Sequence, residues 1–246
     1  MKTLLPAKLA LLLLSCLLLA CELEDPQEGL RVEDIIVLEA TDSVLLADGR
    51  DLTVLQAQLG PQAAPNLSVA FTTNGGQFES SAGGTNQVSV RASGNTAMAT
   101  LQVGTQPQER VRVSAEVSTN DESGNPLLFQ ADRVLEFRRA FPEFLRLTLS
   151  ERSLLALPGE EADLRVELLR SMGQVSDGTE VFFAAEAPAD GPVVSLPERA
   201  IADTGFLTVS VSVQDTLAGA VRLRAWVLDA NLDTTATAAV DLDVVP

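Results

Sequence analysis

Short runs of alternating apolar and polar residues make up most of the chain. Residues 111–117 read Val-Arg-Val-Ser-Ala-Glu-Val, and residues 164–168 read Leu-Arg-Val-Glu-Leu. Because neighbouring side chains of a β-strand point to opposite faces, each run predicts a strand with one buried and one solvated face. Turn-forming pairs such as Asp48-Gly49 separate the runs, and no stretch after residue 30 keeps a helical period with caps. The pattern therefore predicts an all-β fold.

The pattern occurs twice along the chain. Residues 43–49 match residues 153–159, and the strand that begins at Val111 matches the strand that begins at Val221. Both matches have the same offset of 110 residues. A shared offset at two distant places indicates a duplicated structural unit.

Between these matches, residues 69–71 match residues 181–183 at an offset of 112. A loop that is two residues longer accounts for the difference. We predict two units, residues 31–139 and 141–246. Each is close to the ~100 residues of an immunoglobulin-like (Ig-like) β-sandwich. The predicted fold is therefore two Ig-like sandwiches in tandem.

The apolar positions of the central strands predict which side chains form the core. Val69 and Phe71 in the first unit, like Val181 and Phe183 in the second, lie two residues apart and should face the space between the sheets. Trp226 follows the same strand pattern, and we interpret it as a core or rim aromatic rather than a platform for a ligand.

The junction between the units, residues 138–143, contains no glycine and is too short for a free linker. Phe141 and Phe144 flank Pro142, and we expect both rings to pack between the units. A stiff two-domain rod follows from this junction.

The N-terminus has a different pattern. Lys2 and Lys8 lead into an apolar run over residues 9–19, which is too short to span a bilayer as a helix and is typical of a secretory signal. Residues 18–21, Leu-Leu-Ala-Cys, resemble the lipobox of bacterial lipoproteins. The resemblance implies that residues 1–20 are removed and that the Cys21 thiol carries a diacylglycerol.

Two other interpretations of this segment remain. Cleavage before Cys16 would leave an apolar N-terminus in water, and a plain secretory signal would make Cys21 incidental. Residues 21–30 are acidic, and we interpret them as a tether. The lipoprotein resemblance implies a location at the outer membrane and leaves open whether the protein faces the periplasm or the exterior.

The chain is strongly acidic, with a formal net charge of −17. Residues 1–20 hold both lysines and no acidic residue, so their removal lowers the charge to −19. Nucleic-acid binding depends on neutralising phosphates with Lys and Arg, so we expect no nucleic-acid partner. The same charge disfavours anionic lipid surfaces, so the membrane contact should be the acyl chains.

The residue inventory restricts the available chemistry. The chain has no His and no Tyr, and its lysines lie within the segment predicted to be removed. A Ser or Thr nucleophile would thus have no imidazole or amine beside it, and zinc and copper would lack their usual ligands. We therefore predict a protein that is not an enzyme and has no cofactor, with calcium as the one plausible metal.

One short motif has calcium-loop spacing. Asp229, Asn231 and Asp233 form a D-x-N-x-D pattern, but the sixth position is Thr234 and the twelfth is Val240, which departs from an EF-hand. A hairpin turn and a weak calcium site at the edge of the sandwich are both open. Asp42 and residues 120–123 are similar, weaker candidates.

Residues 203–205, Asp-Thr-Gly, match the catalytic tripeptide of aspartic proteases. That chemistry needs two such aspartates that share a proton, which one chain with a single copy does not supply. We interpret the tripeptide as a tight turn before a strand.

The framework residues resemble the group 1 bacterial Ig-like domains of invasin and intimin. The shared positions are Ala47-Asp48-Gly49, residues 69–76 and residues 111–117. In the second unit the corresponding segment is residues 177–183. The second unit lacks the Thr-x-x-Gly-Gly stretch after Phe183. Because these are turn and core-strand positions, the resemblance implies a fold and an extracellular rod rather than an activity.

Two functional hypotheses follow. The first is a lipid-anchored cell-envelope protein in which the Ig-like rod is a surface spacer, an adhesion module or part of an assembly, with an unknown protein or cell-surface partner. Its expected contact loops are residues 176–179 and 229–233. The alternative is a carbohydrate- or polymer-binding lipoprotein of an uptake system, which needs exposed flat aromatic rings.

Overall fold

The described part of the chain is an all-β protein that contains two Ig-like sandwiches in series, which confirms the predicted fold class. One short helix, α1 (Val32–Ile35), precedes the first strand. The computed structural model describes residues 32–61, 63–64, 66–79, 83–120 and 124–246.

In its described residues, the first sandwich contains nine strands, which run from the end of α1 to the junction. They are β1 (Ile36–Ala40), β2 (Val44–Ala47), β3 (Leu52–Leu59), β4 (Ser68–Thr73), β5 (Gln77–Phe78), β6 (Gln87–Arg91), β7 (Thr96–Gln102), β8 (Gln108–Asn120) and β9 (Pro126–Arg139).

The second sandwich repeats the same set of strands. They are β10 (Phe144–Leu149), β11 (Ser153–Leu155), β12 (Glu161–Leu169), β13 (Thr179–Glu186), β14 (Val194–Ser195), β15 (Arg199–Ala202), β16 (Phe206–Val213), β17 (Gly219–Leu228) and β18 (Thr234–Val245).

The two sandwiches share one topology. In the first, a four-stranded sheet of order β1-β3-β7-β5 packs on a five-stranded sheet of order β2-β9-β8-β4-β6. In the second, β10-β12-β16-β14 packs on β11-β18-β17-β13-β15 in the same way. The short strands β2 and β11 pair in parallel with the last strand of their domain, so the chain changes sheet near the start of each unit.

The alternating pattern of the sequence forms the two cores. Val69 and Phe71 are fully buried in the first core, and Val181 and Phe183 are buried in the second. Along β8 and β17 the matched residues, which lie 110 positions apart, are all buried. They are Val111, Val113, Ala115 and Val117 in β8, and Val221, Leu223, Ala225 and Val227 in β17. The expected core of both units is confirmed.

Candidate functional site

The loop between β12 and β13, residues 170–178, makes the hydrogen bonds that hold the second domain against the first. The Gln174 backbone N–H donates to the Asp48 carbonyl oxygen at 2.7 Å, and the Asp177 N–H donates to the Thr105 carbonyl oxygen at 3.0 Å. The loop therefore lies against two turns at one end of the first sandwich. These backbone bonds fix the loop in a single register against that end.

Ser176 lies at the centre of this junction and is 1 % exposed. Its hydroxyl donates to the Ala47 carbonyl oxygen at 2.6 Å and accepts from the Ala140 N–H at 2.8 Å. Ala140 is itself fully buried. One side chain thus satisfies a buried carbonyl of the first domain and a buried amide of the connecting segment.

The Asp177 carboxylate makes a second set of contacts across the junction. Its Oδ2 accepts from the Thr105 hydroxyl and from the Gln106 side-chain amide, both at 2.7 Å. Its Oδ1 accepts from the Thr204 N–H at 3.3 Å. The Arg139 guanidinium donates to the Asp177 carbonyl oxygen at 3.0 Å, so three side chains of the first domain and one backbone N–H of the second converge on this residue.

Gly173 allows the close approach of the loop to the first domain. It has φ +71°, and a Cβ atom there would lie 2.3 Å from Asp48 Oδ2. Any side chain would therefore be strained and would collide with the first domain. The Asp48 carboxylate in turn accepts the Arg50 and Asp51 N–H groups, both at 2.8 Å, which fixes the turn that receives the loop.

These contacts correct two expectations about the junction. Residues 176–179 are not an exposed contact loop, because Ser176 and Thr179 are each 1 % exposed and hold the domains together. Phe144 does not pack between the units, because it is 60 % exposed on the outer face of β10. Phe141 is half-buried and packs against the second core, as a residue at the start of that domain can do. The sequence pattern indicated neither the burial of Ser176 and Thr179 nor the exposure of Phe144.

The β17–β18 hairpin contains the calcium candidates. Asp229 Oδ1 accepts from the Asn231 N–H at 2.8 Å and from the Asp233 N–H at 2.9 Å, and the Asp229 N–H donates to the Asp233 carbonyl oxygen. Leu232 has φ 67° and completes the turn. The Asp229 carboxylate thus stabilises the hairpin, and a calcium site at these residues stays a prediction.

The strand register also places this hairpin. Phe182 in β13 pairs with Trp226 in β17, so residue 229 lies level with Thr179 at the start of β13. The hairpin is therefore on the end of the second domain that faces the first. Residues 230–234 are exposed there, so a contact role for the loop at residues 229–233 stays a prediction.

Residues 203–205 form the turn between β15 and β16, as interpreted from the sequence. Thr204 has φ 74° and Gly205 has φ 76°. The Gly205 carbonyl oxygen accepts from the Leu168 N–H at 2.8 Å. The Asp-Thr-Gly sequence therefore has a turn-forming role beside the junction.

Trp226 lies on the outer face of the second five-stranded sheet and not in its core. Its neighbours Ala225 and Val227 point inward and are fully buried, so Trp226 points outward and is partly exposed. It stacks on Phe182 from the adjacent strand, with ring centroids 5.9 Å apart and an interplanar angle of 17°. Of the two predicted positions, core or rim, the structure excludes the core, and the strict alternation of β17 was the signal that could have shown this.

Three arginines on the same outer face are paired with carboxylates. Arg224 donates to Glu186 at 2.9 Å and Arg199 donates to Glu180 at 3.0 Å. Arg222 lies 4.0 Å from Asp241. These three pairs together carry no net charge, and Asp243, which is exposed on the same face of β18, adds one carboxylate.

Two shallow cavities lie beside Trp226 on this face. One, of about 240 Å³, is lined by Ala184, Arg224, Trp226, Thr234 and Thr237. The other, of about 360 Å³, is lined by Glu186, Arg222, Arg224, Thr237, Ala238 and Ala239. They share Arg224 and Thr237, so together they form one groove, which we call the Trp226 groove.

The matching face of the first domain has a polar network instead. Asp132 accepts from Arg112, from the Ser114 hydroxyl at 2.6 Å and from the Gln130 amide at 2.8 Å. The hydrogen bond from the Arg112 guanidinium is the main cause that lowers the pKa of Asp132 to about 2, from an ordinary 3.8, with the Ser114 bond next. Both ionic partners are solvent-exposed, so the network adds little to stability.

Several predicted features fall outside what the structure tests. Cys21, the tether and residues 121–123 lie outside the described residues. Across the described ranges, no cluster of three or more His, Cys, Asp or Glu could hold a metal ion. Nor does any helix in the same ranges have the length and apolar character needed to cross a membrane.

The fold is similar to that of two solved bacterial proteins. The structure of the Yersinia pseudotuberculosis adhesin InvE has a TM-score of 0.52 at 19 % identity, over 87 % of this chain and 59 % of that one. The structure of invasin, described as a bacterial integrin-binding protein, has a TM-score of 0.57 at 16 % identity, over 85 % of this chain and 39 % of that one. The chain thus spans less than two thirds of either structure. No protein-family model and no curated protein sequence matches it.

Proposed function

We propose that this protein is a non-enzymatic cell-envelope protein that works by display and contact. A pair of Ig-like domains would hold a contact surface away from the membrane, as an adhesion module or as part of an envelope assembly. The observation that carries this proposal is the junction. A buried serine and an aspartate that bonds groups from both domains give the second domain one orientation, which suits a rigid spacer.

The structural neighbours support a surface role. InvE is described as an adhesin and invasin as an integrin-binding protein. The present chain shares their fold and, over the residues that the structure describes, has no cluster of ligands for a catalytic metal. We take the shared fold as support for contact with a partner, without assigning either protein's partner to this chain.

The proposed anchor is a lipid on Cys21. A diacylglycerol on this residue, followed by the acidic residues 22–28, would place the first domain near the bilayer and the second domain further out. The outer membrane is the proposed site. The chain's net negative charge makes the acyl chains, rather than basic side chains, the membrane contact.

Protease treatment of intact cells tests the proposal. The second domain, detected with an antibody against it, should be cleaved or released by protease added to intact cells. Cells that express a Cys21→Ser variant serve as the control, because they should lose the protein from the membrane fraction. Complete protection of the second domain in intact cells, with cleavage after permeabilisation, would place it in the periplasm and refute the adhesion role.

A further inference from the structure

The aromatic pair on the second domain is not required by the Ig-like framework. In the first domain the equivalent cross-strand pair is Ala70 opposite Glu116, whereas in the second it is Phe182 opposite Trp226. Both sandwiches have the same strand order and the same buried positions in these strands. The first domain therefore shows that the fold forms without outward-facing rings, and the pair needs another explanation.

The indole of Trp226 is partly exposed and lines the smaller cavity of the groove. Its ring stacks on Phe182 and lines the groove together with Ala184, Thr234 and Thr237. The indole N–H has no hydrogen-bond acceptor among the residues that the structure describes, and it is not a buried orphan. A tryptophan in this state offers a π-surface and one unused donor.

The polar side chains of the groove offer donors and acceptors side by side. Arg224 and Glu186 are paired at 2.9 Å and their side chains are 46 % and 51 % exposed, so each retains free hydrogen-bonding positions. Arg222 and Asp241, at 4.0 Å, form a second and looser pair. A sugar hydroxyl both donates and accepts, so adjacent hydroxyls match such a pair.

The charge balance of the groove selects against other ligands. Because every arginine on the face lies near a carboxylate, the groove does not attract phosphate or carboxylate groups. Nucleic acids and acidic polysaccharides bind mainly through unpaired cationic side chains of a protein. The net negative charge of this chain would also repel them. A purely apolar ligand would leave the charged pairs desolvated.

The shape of the groove suits a chain that lies along the sheet. Its two cavities, about 240 and 360 Å³, are adjacent, share the lining residues Arg224 and Thr237, and are shallow. Small side chains at Ala184 and Ala239 form part of its lining, so a flat ligand can approach the backbone. The larger cavity falls in the range of ~300–1,000 Å³ that is usual for small-molecule sites, and the smaller one extends it toward Trp226.

We propose that the Trp226 groove binds a neutral saccharide. One sugar ring stacks its C–H face on the indole of Trp226, and its hydroxyls bond with Arg224, Glu186 and the indole N–H. The inference rests on the proposed function, since it names the ligand class that the displayed domain contacts. Binding by purified protein and display on cells are separate measurements, so either can fail without the other.

The chain provides its own probe for this site, because Trp226 is its one tryptophan. The full-length protein, in a detergent without a sugar headgroup, is titrated with short neutral oligosaccharides of glucose, mannose, galactose and xylose. Its intrinsic fluorescence is recorded at each step. We expect a saturable change in emission with at least one of them, and none with oligogalacturonate of similar length. No change with any neutral oligosaccharide would overturn the assignment.

Variants of the groove can show whether a loss of saccharide binding comes from the groove itself or from a folding defect. Phe182→Ala removes the ring that supports the indole, and Ala184→Gln fills the groove without touching the core, so each should weaken binding at least about tenfold, or ~1.4 kcal/mol. Glu116→Ala, the counterpart of Trp226 in the first domain, is the matched control and should bind normally. Unchanged affinity in both groove variants, with native circular dichroism, would refute the site. Loss of cell attachment in these variants without any saccharide binding would make the face a protein contact instead.

Discussion

Replacement of Ser176 by alanine should loosen the second domain from the first. The hydroxyl bridges the Ala47 carbonyl and the Ala140 amide, and all three residues are almost completely buried. Alanine fits the same space but cannot make either hydrogen bond. The substitution therefore tests the junction without adding bulk to it.

The expected magnitude follows from the two groups left without a partner. A buried backbone N–H or C=O that loses its hydrogen bond destabilises a protein by ~1–3 kcal/mol. Because water can enter a junction more readily than a core, we take the lower half of the range and expect a total of about 2–4 kcal/mol. For a domain with an m-value of ~2 kcal/mol/M in urea, the midpoint should fall by about 1–2 M.

Two spectroscopic signals can resolve the effect. Trp226 is in the second domain, so its fluorescence follows that domain alone, whereas far-ultraviolet circular dichroism follows the strands of both domains. We expect coincident urea transitions for the natural protein, since the junction couples the domains. In Ser176→Ala the fluorescence transition should move to lower urea and separate from the dichroism transition.

Ser150→Ala is the matched control. Ser150 also accepts one backbone N–H, from Asp163 at 2.9 Å, but this bond is exposed and within one domain. Water can replace it, so the midpoint should change little. If Ser176→Ala shifts the fluorescence midpoint no more than Ser150→Ala does, the hydroxyl does not couple the domains and the rigid junction is wrong.

Three further predictions concern the core, acid stability and the anchor. Val181→Asp should unfold the second domain, because Val181 is fully buried and an unpaired charge there costs several kcal/mol, whereas Leu232→Asp at a 76 % exposed position should melt normally by circular dichroism. The folded-state pKa of Asp132, about 2 against an ordinary 3.8, means that its stabilising contribution is complete above about pH 5 and is lost as the pH falls toward 2. Asp132→Asn should remove this part of the pH dependence of the free energy of unfolding in urea. Because the Arg112–Asp132 pair is exposed, the effect should be below about 1 kcal/mol. A pH profile identical to that of the natural protein would contradict the role of Asp132. Mass spectrometry of the mature N-terminus should find a diacylated Cys21 that persists in Cys16→Ser, and a lipid on Cys16 would refute the proposed anchor.

The fold could be predicted because it depends on local pattern. Alternation along β8 and β17 identified the buried residues, and the common offset of 110 residues identified the repeat before any strand was paired. Both signals come from side chains that must be apolar for the sandwich to form. Such positions are visible in the sequence because they must be apolar. A polar residue at Val113 or Leu223, for example, would leave a buried polar group without a hydrogen-bond partner.

The junction could not be predicted in the same way. Its decisive bonds run between backbone groups of the loop around Gln174 and of the turn at Asp48, and backbone groups are the same in every sequence. Gly173 and Ser176 carry the specificity, but a glycine or a serine in a loop is too common to indicate a contact 129 residues away. For this reason the loop at residues 176–179 looked like an exposed turn.

The fixed junction between the domains affects how the Trp226 groove can bind a polymer. A shallow, open groove with one stacked ring and exposed ion pairs gives a low affinity per site, since most of the ligand stays in water. A protein anchored in many copies to one membrane can compensate through multivalency, provided that its sites can engage one polymer simultaneously. Flexible domains would present the groove in random directions, whereas a second domain fixed through Ser176 and Asp177 presents it at one angle in every copy. Weakening the junction should therefore reduce attachment of cells to a saccharide-coated surface more than it reduces the affinity of the purified protein for the same oligosaccharide.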